Sequence, residues 1–245
     1  MRKEYLLSIG LIIVAWYLFA MLIANDIILP NPKDVFFTCF YLLTSVSFYQ
    51  IILTSILRVF KGYVLSFIIA LVLAIIADEY SGFKRFMEPI EHLLKSIPNI
   101  SYIILSLIWV GQEKGVILVI FLVSFPLLYT QLLQGLSIKQ QELKDVCSLY
   151  EKSKIDSLFH VKLPMALPMI FTSISTTLGL CFKVGITAEI LNQTPNGIGY
   201  QLYKAKANLA MIDLFAWTIW IIIISYIIYR IVIYFVNLTT KKWTV

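Results

Sequence analysis

Two histidines (His92, His160) and three widely spaced cysteines (Cys39, Cys147, Cys181) are all that this 245-residue chain offers for metal or thiol chemistry. There is no C-x-x-C pair, no H-E-x-x-H helix signature and no G-x-x-x-x-G-K-[ST] phosphate loop, so zinc sites, metalloprotease chemistry and ATP hydrolysis have no residues to rest on. What stands out is charge in apolar surroundings. Lys183 and Glu189 lie in one long apolar stretch, Arg58 and Lys61 in another, and Arg230 in a third. A charge at bilayer depth costs about 2.5–3.5 kcal/mol unless it is paired or hydrated, so such residues point to recognition or gating rather than bond-making.

The elements that must position these charges are membrane helices. The chain is 60% hydrophobic and only 14% charged, against roughly 25% charged in ordinary soluble domains. A helix needs about 20 mostly apolar residues to cross the roughly 30 Å hydrocarbon core. The pattern predicts an all-α, polytopic membrane protein: a single transmembrane domain over 1–245 with about six transmembrane helices, near 5–24, 54–77, 96–111, 115–136, 164–190 and 214–237. The first stretch is longer than the apolar core of a signal peptide, and Ala24-Asn25-Asp26 is a poor cleavage site, so it reads as an uncleaved span.

Basic residues set the expected orientation. With six spans and an inside N-terminus, twelve Lys and Arg fall in inside segments and four (Lys33, Lys114, Lys204, Lys206) outside. Both termini are expected in the cytoplasm. The net charge of +6 is a topology signal rather than a nucleic-acid footprint.

Within this frame Lys183 and Glu189, six residues apart, point to different sides of one helix. Glu189 adjoins Asn192–Gly197 at the outer end of span five, as either a gate or pathway residue or a solvated helix end. Lys183, deeper, faces an anionic substrate, snorkels or meets a protein-buried partner. Arg58 and Lys61 read as interface anchors, and Arg230 as a snorkelling residue near the inner surface. Gly179 and Gly185 read as close-packing sites, Gly197 and Gly199 as turn formers, and Pro126 as a kink.

One polar stretch is too patterned for a simple connector. From Ser137 to Lys162, Leu143, Val146, Cys147 and Tyr150 fall at i, i+3, i+4 and i+7, and Ile155, Leu158 and Phe159 follow after Glu151-Lys152-Ser153-Lys154. This spacing predicts two short amphipathic helices meeting at a bend, before Leu163-Pro164 opens the next span. The residues allow a linker lying on the membrane surface or an elbow that docks a soluble partner.

The stretch resembles the cytoplasmic signature of the membrane-spanning permeases of bacterial ABC importers, E-A-A-x3-G-x9-I-x-L-P. Asp145-Val146-Cys147 stands at the Glu-Ala-Ala, Glu151 at the Gly, Val161 at the Ile and Leu163-Pro164 at the Leu-Pro. The Gly and both Ala are changed. Further matches run in order through the chain and are similar to the nitrate/sulfonate/taurine branch: Leu29-Pro30-Asn31-Pro32, Arg58-Val59-Phe60-Lys61-Gly62-Tyr63, Lys95-Ser96-Ile97-Pro98, Ile108-Trp109-Val110-Gly111, Ala188-Glu189 and Gly197-Ile198-Gly199-Tyr200.

The resemblance implies a passive permease with no cofactor of its own, ATP being bound by a separate ABC ATPase subunit. It implies that the coupling segment 139–163 docks that subunit through Asp145, Val146, Cys147, Tyr150, Glu151, Leu158, Phe159, Leu163 and Pro164. It further implies an extracytoplasmic solute-binding protein, a second permease copy in a homodimer, a place in the bacterial cytoplasmic membrane, and a small anionic or heteroaromatic cargo. A stand-alone secondary transporter or channel is the alternative; such carriers often show internal repeats and several midplane charges, and the chain shows neither. Intramembrane enzymes are disfavoured because both histidines lie in predicted loops.

Overall fold

A computed structural model describes residues 2–137 and 162–240 of the chain, and among these the secondary structure is wholly helical. In chain order the helices are α1 (Arg2–Ile23), α2 (Pro32–Leu42), α3 (Val46–Glu79), α4 (Ser81–Ser96), α5 (Asn99–Leu136), α6 (Leu163–Leu191), α7 (Ile198–Ala207) and α8 (Met211–Thr240). Helices α3, α5, α6 and the Met211–Tyr234 part of α8 are long and apolar enough to cross a membrane, and α1 carries a shorter apolar run, Leu7–Ile23.

Local chemistry explains several boundaries. Asn31 accepts a hydrogen bond from the Lys33 N–H at 3.0 Å, capping α2, and Pro32 occupies the first turn, where its missing N–H has no partner to lose. The indole N–H of Trp16 donates to the Pro30 carbonyl at 3.1 Å and ties α1 to this turn. Helix α2 then packs on α8 through Val35, Cys39 and Ala216. Tyr80, in extended conformation, separates α3 from α4. Helix α4 carries Lys84, Arg85, Glu88, His92 and Lys95 on its polar side, the pattern of a helix lying in a membrane interface.

Helix α5 is two helices in one. Gly111 has φ 78° and ψ −173°, a backbone conformation that side chains other than hydrogen rarely tolerate. The chain turns back there. A Cβ on Gly115 would lie 3.4 Å from the Ser106 carbonyl carbon, whereas nine residues of straight helix would separate the two by about 13.5 Å. The first arm, 99–110, is about 18 Å long by helical rise and so shorter than the hydrocarbon core. At Pro126 the helix runs on without a break.

The second arm of α5 forms the middle of the core. Val116, Ile120, Ser124, Leu128, Leu132 and Leu136 are wholly buried at every fourth position. Because four residues overshoot a full turn by about 40°, this seam winds around the helix and meets two partners, α3 on one side and α6 on the other. The α3 side is lined by a small-residue stripe, Gly62, Ser66, Ala70 and Ala74, again four apart and buried. A Cβ on Gly62 would come within 2.8 Å of the Ile117 carbonyl oxygen, so only glycine lets the two backbones approach this closely. Gly185 plays the same part between α6 and α3, where a Cβ would meet Val59 at 2.8 Å, but Gly179 has nothing within 4 Å and is no packing site within the chain.

Candidate functional site

A buried ionic cluster forms at one end of the α3–α5–α6 bundle, and Glu189 is its centre. Ala188 and Glu189 lie in the last turn of α6, and the carboxylate turns inward, only 1% exposed. The Ser55 hydroxyl, from α3, lies 2.9 and 2.8 Å from the two carboxylate oxygens and donates its one proton between them. One helical turn further along α3, Arg58 Nη1 donates to Glu189 Oε1 at 3.0 Å. The backbone N–H of Gly199 donates to Oε2 at 3.0 Å, and that of Ile198 to the Ser55 hydroxyl oxygen at 2.8 Å.

Those last two donors belong to the first turn of α7, whose N–H groups have no partner inside their own helix. A helix N-terminus attracts anions through these orphan donors and the helix dipole. Here the anion is Glu189 itself. The two glycines make room for it: a Cβ on Gly197 would lie 2.5 Å from Glu189 Oε2, and a Cβ on Gly199 would lie 2.6 Å from the Ile186 carbonyl. The glycines thus place the α7 N-terminus on a carboxylate, which explains why a G-I-G run sits here without any phosphate to bind.

Arg58 extends the cluster to the hairpin tip of α5. Its Nη2 donates to Glu113 Oε1 at 2.9 Å and to the Pro195 carbonyl at 2.8 Å. Thr194 bridges the same elements, its N–H donating to the Glu189 carbonyl at 3.0 Å and its hydroxyl to the Gln112 carbonyl at 3.3 Å. Glu113 is 65% exposed while Arg58 is 7% exposed, so the cluster has a wet rim and a dry centre. Between them, Gln193 and Asn196 adopt positive φ to fit the turn.

Three of the sequence motifs noted separately therefore converge: Arg58 from one, Glu189 from another and Gly197 and Gly199 from a third meet in one knot. Two expectations are corrected here. Arg58 is not an interface anchor, because its guanidinium is buried inside the chain and donates to two carboxylates and a carbonyl. Glu189 is not a solvated helix end, because its carboxylate is enclosed and receives donors from three groups. Ser55 and Glu113 escaped notice in the sequence; the one signal for Ser55 is that it precedes Arg58 by three residues, on the same helical face.

The other expected site residues are spread along the chain. Lys183 is exposed on α6, and Lys61 and Arg230 are exposed on α3 and α8. Leu163 and Pro164 form the first turn of α6. Asp145, Val146, Cys147, Tyr150, Glu151, Leu158 and Phe159 lie outside the described residues. Among the described residues no group of three or more His, Cys, Asp or Glu is arranged to hold a metal ion.

The chain belongs to a known class of membrane protein. Residues 71–239 match the family described as the binding-protein-dependent transport system inner membrane component, and the chain belongs to that family, whose members are non-enzymatic permease subunits of ABC transporters. A protein of Methanocaldococcus jannaschii with the provisional name ABC transporter permease is 28% identical over 212 residues, covering 83% of this chain and 79% of its own. The taurine transport system permease of Escherichia coli is 26% identical over 221 residues, covering 86% and 80%. Among solved structures, a bacterial ABC transporter for import of the acidic polysaccharide alginate superposes over 100% of this chain and 97% of its own with a TM-score of 0.66 at 18% identity, a likeness of fold. The protein is thus an ABC importer permease.

Proposed function

We propose that this permease carries a small organic or inorganic anion, handed over by an extracytoplasmic binding protein and driven by a separate ATPase subunit that docks on the 139–163 segment. Both termini lie in the cytoplasm, which puts the Glu189 cluster at the outer face and the start of α6 at the inner one. Two copies of the chain form the path, since among the described residues the buried side chains of α5 fill the middle of one bundle.

The observation that carries the anionic cargo is Lys183. It is exposed on α6, about 9 Å below Glu189 by helical rise and far from the inner end. An ammonium facing lipid at that depth would cost several kcal/mol. A water-filled path between two copies removes this cost and presents a cation to the solute. The solutes named for relatives each carry an anionic group: the sulfonate of taurine in the Escherichia coli protein, and bicarbonate in the permease of Synechococcus elongatus, 28% identical over 159 residues. Glu189, enclosed by its own donors, shapes the outer mouth and does not touch solute.

Reconstitution tests the reading. The chain, co-expressed with the ATPase and binding-protein genes of its own genome and placed in proteoliposomes, is expected to take up an alkyl sulfonate only with ATP inside. Lys183→Gln is expected to weaken uptake of the anion at low concentration while leaving assembly intact. Asp145→Lys is expected to abolish retention of the ATPase without affecting membrane insertion. Uptake driven by an ion gradient with no ATPase present would establish the stand-alone carrier instead.

A further inference from the structure

The far end of α3 holds a second ionic knot, built on Asp78. The Ser137 hydroxyl, one residue past α5, donates to Asp78 Oδ1 at 3.2 Å. Lys162, one residue before α6, donates through Nζ to Asp78 Oδ2 at 2.7 Å and to Glu79 Oε1 at 2.8 Å. The side chains are 12% (Asp78), 23% (Glu79) and 21% (Lys162) exposed, so these charge-assisted bonds are only partly open to competition from water.

Ser137 and Lys162 flank the 138–161 stretch on either side. Each oxygen of one carboxylate therefore holds one end of it. A displacement that carries Ser137 and Lys162 with it has two outcomes: the bonds to Asp78 break, or α3 moves too. Helix α3 in turn runs twenty residues from Asp78 to Arg58, about 30 Å at 1.5 Å per residue. That is the thickness of the hydrocarbon core. At its other end Arg58 grips Glu189 of α6 and Glu113 of the hairpin. The same three helices are thus tied at both ends, and α3 is the strut between the ties.

We infer that Asp78 is a positioning residue for transport, which passes movement of the 138–161 stretch to α3 and through it to the Arg58–Glu189 cluster. This rests on the reading of 139–163 as the ATPase-docking segment. Lys162 is the moving partner and Ser137 holds the other end in register. Asp78 touches neither solute nor nucleotide; it sets how much of each ATPase stroke reaches the opposite face.

The test uses the full complex of permease, ATPase and binding protein in proteoliposomes and reads two quantities, ATP hydrolysed and solute taken up. Asp78→Ala is expected to retain the ATPase at wild-type stoichiometry and to go on hydrolysing ATP, while uptake per ATP falls by about fivefold or more, the low end of typical coupling between sites. Asp78→Glu, which keeps the carboxylate, is expected to recover most of the loss. Lys162→Gln, which removes the charge and keeps a donor, is expected to fall in between, and it decides the matter if Asp78→Ala does not accumulate. Wild-type uptake per ATP in both Asp78→Ala and Lys162→Gln overturns the inference, as does a loss that appears only because the ATPase no longer binds. Failure of the wild-type chain to retain the ATPase overturns the docking reading itself, and that outcome is visible before any variant is made.

Discussion

Arg58 Nη1 lies 3.0 Å from Glu189 Oε1, joining residues 131 positions apart, with the two side chains 7% and 1% exposed. Two ions so enclosed lose their water, and further partners offset that loss: Ser55 and the Gly199 N–H on the carboxylate, and Glu113 and the Pro195 carbonyl on the guanidinium. The cluster is therefore sensitive to removal of one member. Its worth is positional, since it fixes the end of α6, the α7 N-terminus and the α5 hairpin tip on α3.

Arg58→Ala or Glu189→Ala alone leaves a buried charge without its counterpart and is expected to cost about 3–5 kcal/mol. The double variant Arg58→Met with Glu189→Leu is expected to be more stable than either single one. Thermal unfolding of the detergent-solubilised protein measures all of these, and additive losses would show that the two residues do not interact.

Gly199→Ala is expected to disrupt the cluster, because its Cβ would stand 2.6 Å from the Ile186 carbonyl and 2.7 Å from the Ile190 nitrogen, and backbone cannot step aside as a side-chain tip can. Overpacking of this kind costs about 1–3 kcal/mol. Gly179→Ala, with nothing within 4 Å, is the control and is expected to be neutral or slightly stabilising through helix propensity. Equal melting temperatures for the two variants would refute the packing account.

Gly111 meets no neighbour within 4 Å, so its requirement is purely conformational. Its φ of 78° with ψ −173° is an almost glycine-only region, and substitution is expected to cost about 1–3 kcal/mol. Gly111→Asn is expected to be no better than Gly111→Ala, because asparagine tolerates the left-handed helical region but not this one. Rescue by asparagine would mean that the hairpin turn has another geometry.

Burial alone would lower the Lys162 pKa, but the hydrogen bonds and charges of Asp78 and Glu79 outweigh it and hold the ammonium above its ordinary 10.5. A cation whose folded pKa is raised contributes stability in full below the unfolded value and loses it as pH climbs through the folded one. The melting-temperature difference between the wild type and Lys162→Gln is therefore expected to be flat between about pH 7 and 9 and to shrink only above 10.5. A difference that collapses near neutrality would mean that the lysine is not paired.

Much of the bundle was legible because apolar length is a local property. The stretch 164–190 lies within α6 and 54–77 within α3, as an uninterrupted apolar run needs only its own hydrogen bonds to become a helix. The Gly111 break was visible as the gap between two expected spans. The charges were harder. Arg58 and Glu189 were each read against lipid and water because sequence spacing does not show a partner on another helix, so one became an anchor and the other a gate or helix end.

The sequence by itself determined the solvent in which this chain folds, its helical character and, through ordered short motifs, its family. The tertiary structure alone decided what those motifs do: that an arginine, a glutamate and two glycines from three helices close on one another, and that Asp78 receives both Ser137 and Lys162. Helix formation depends on neighbours a few residues away. Pairing a buried charge depends on which helices pack and at what register, and those are set by close approaches such as Gly62 on Ile117 that no single segment contains.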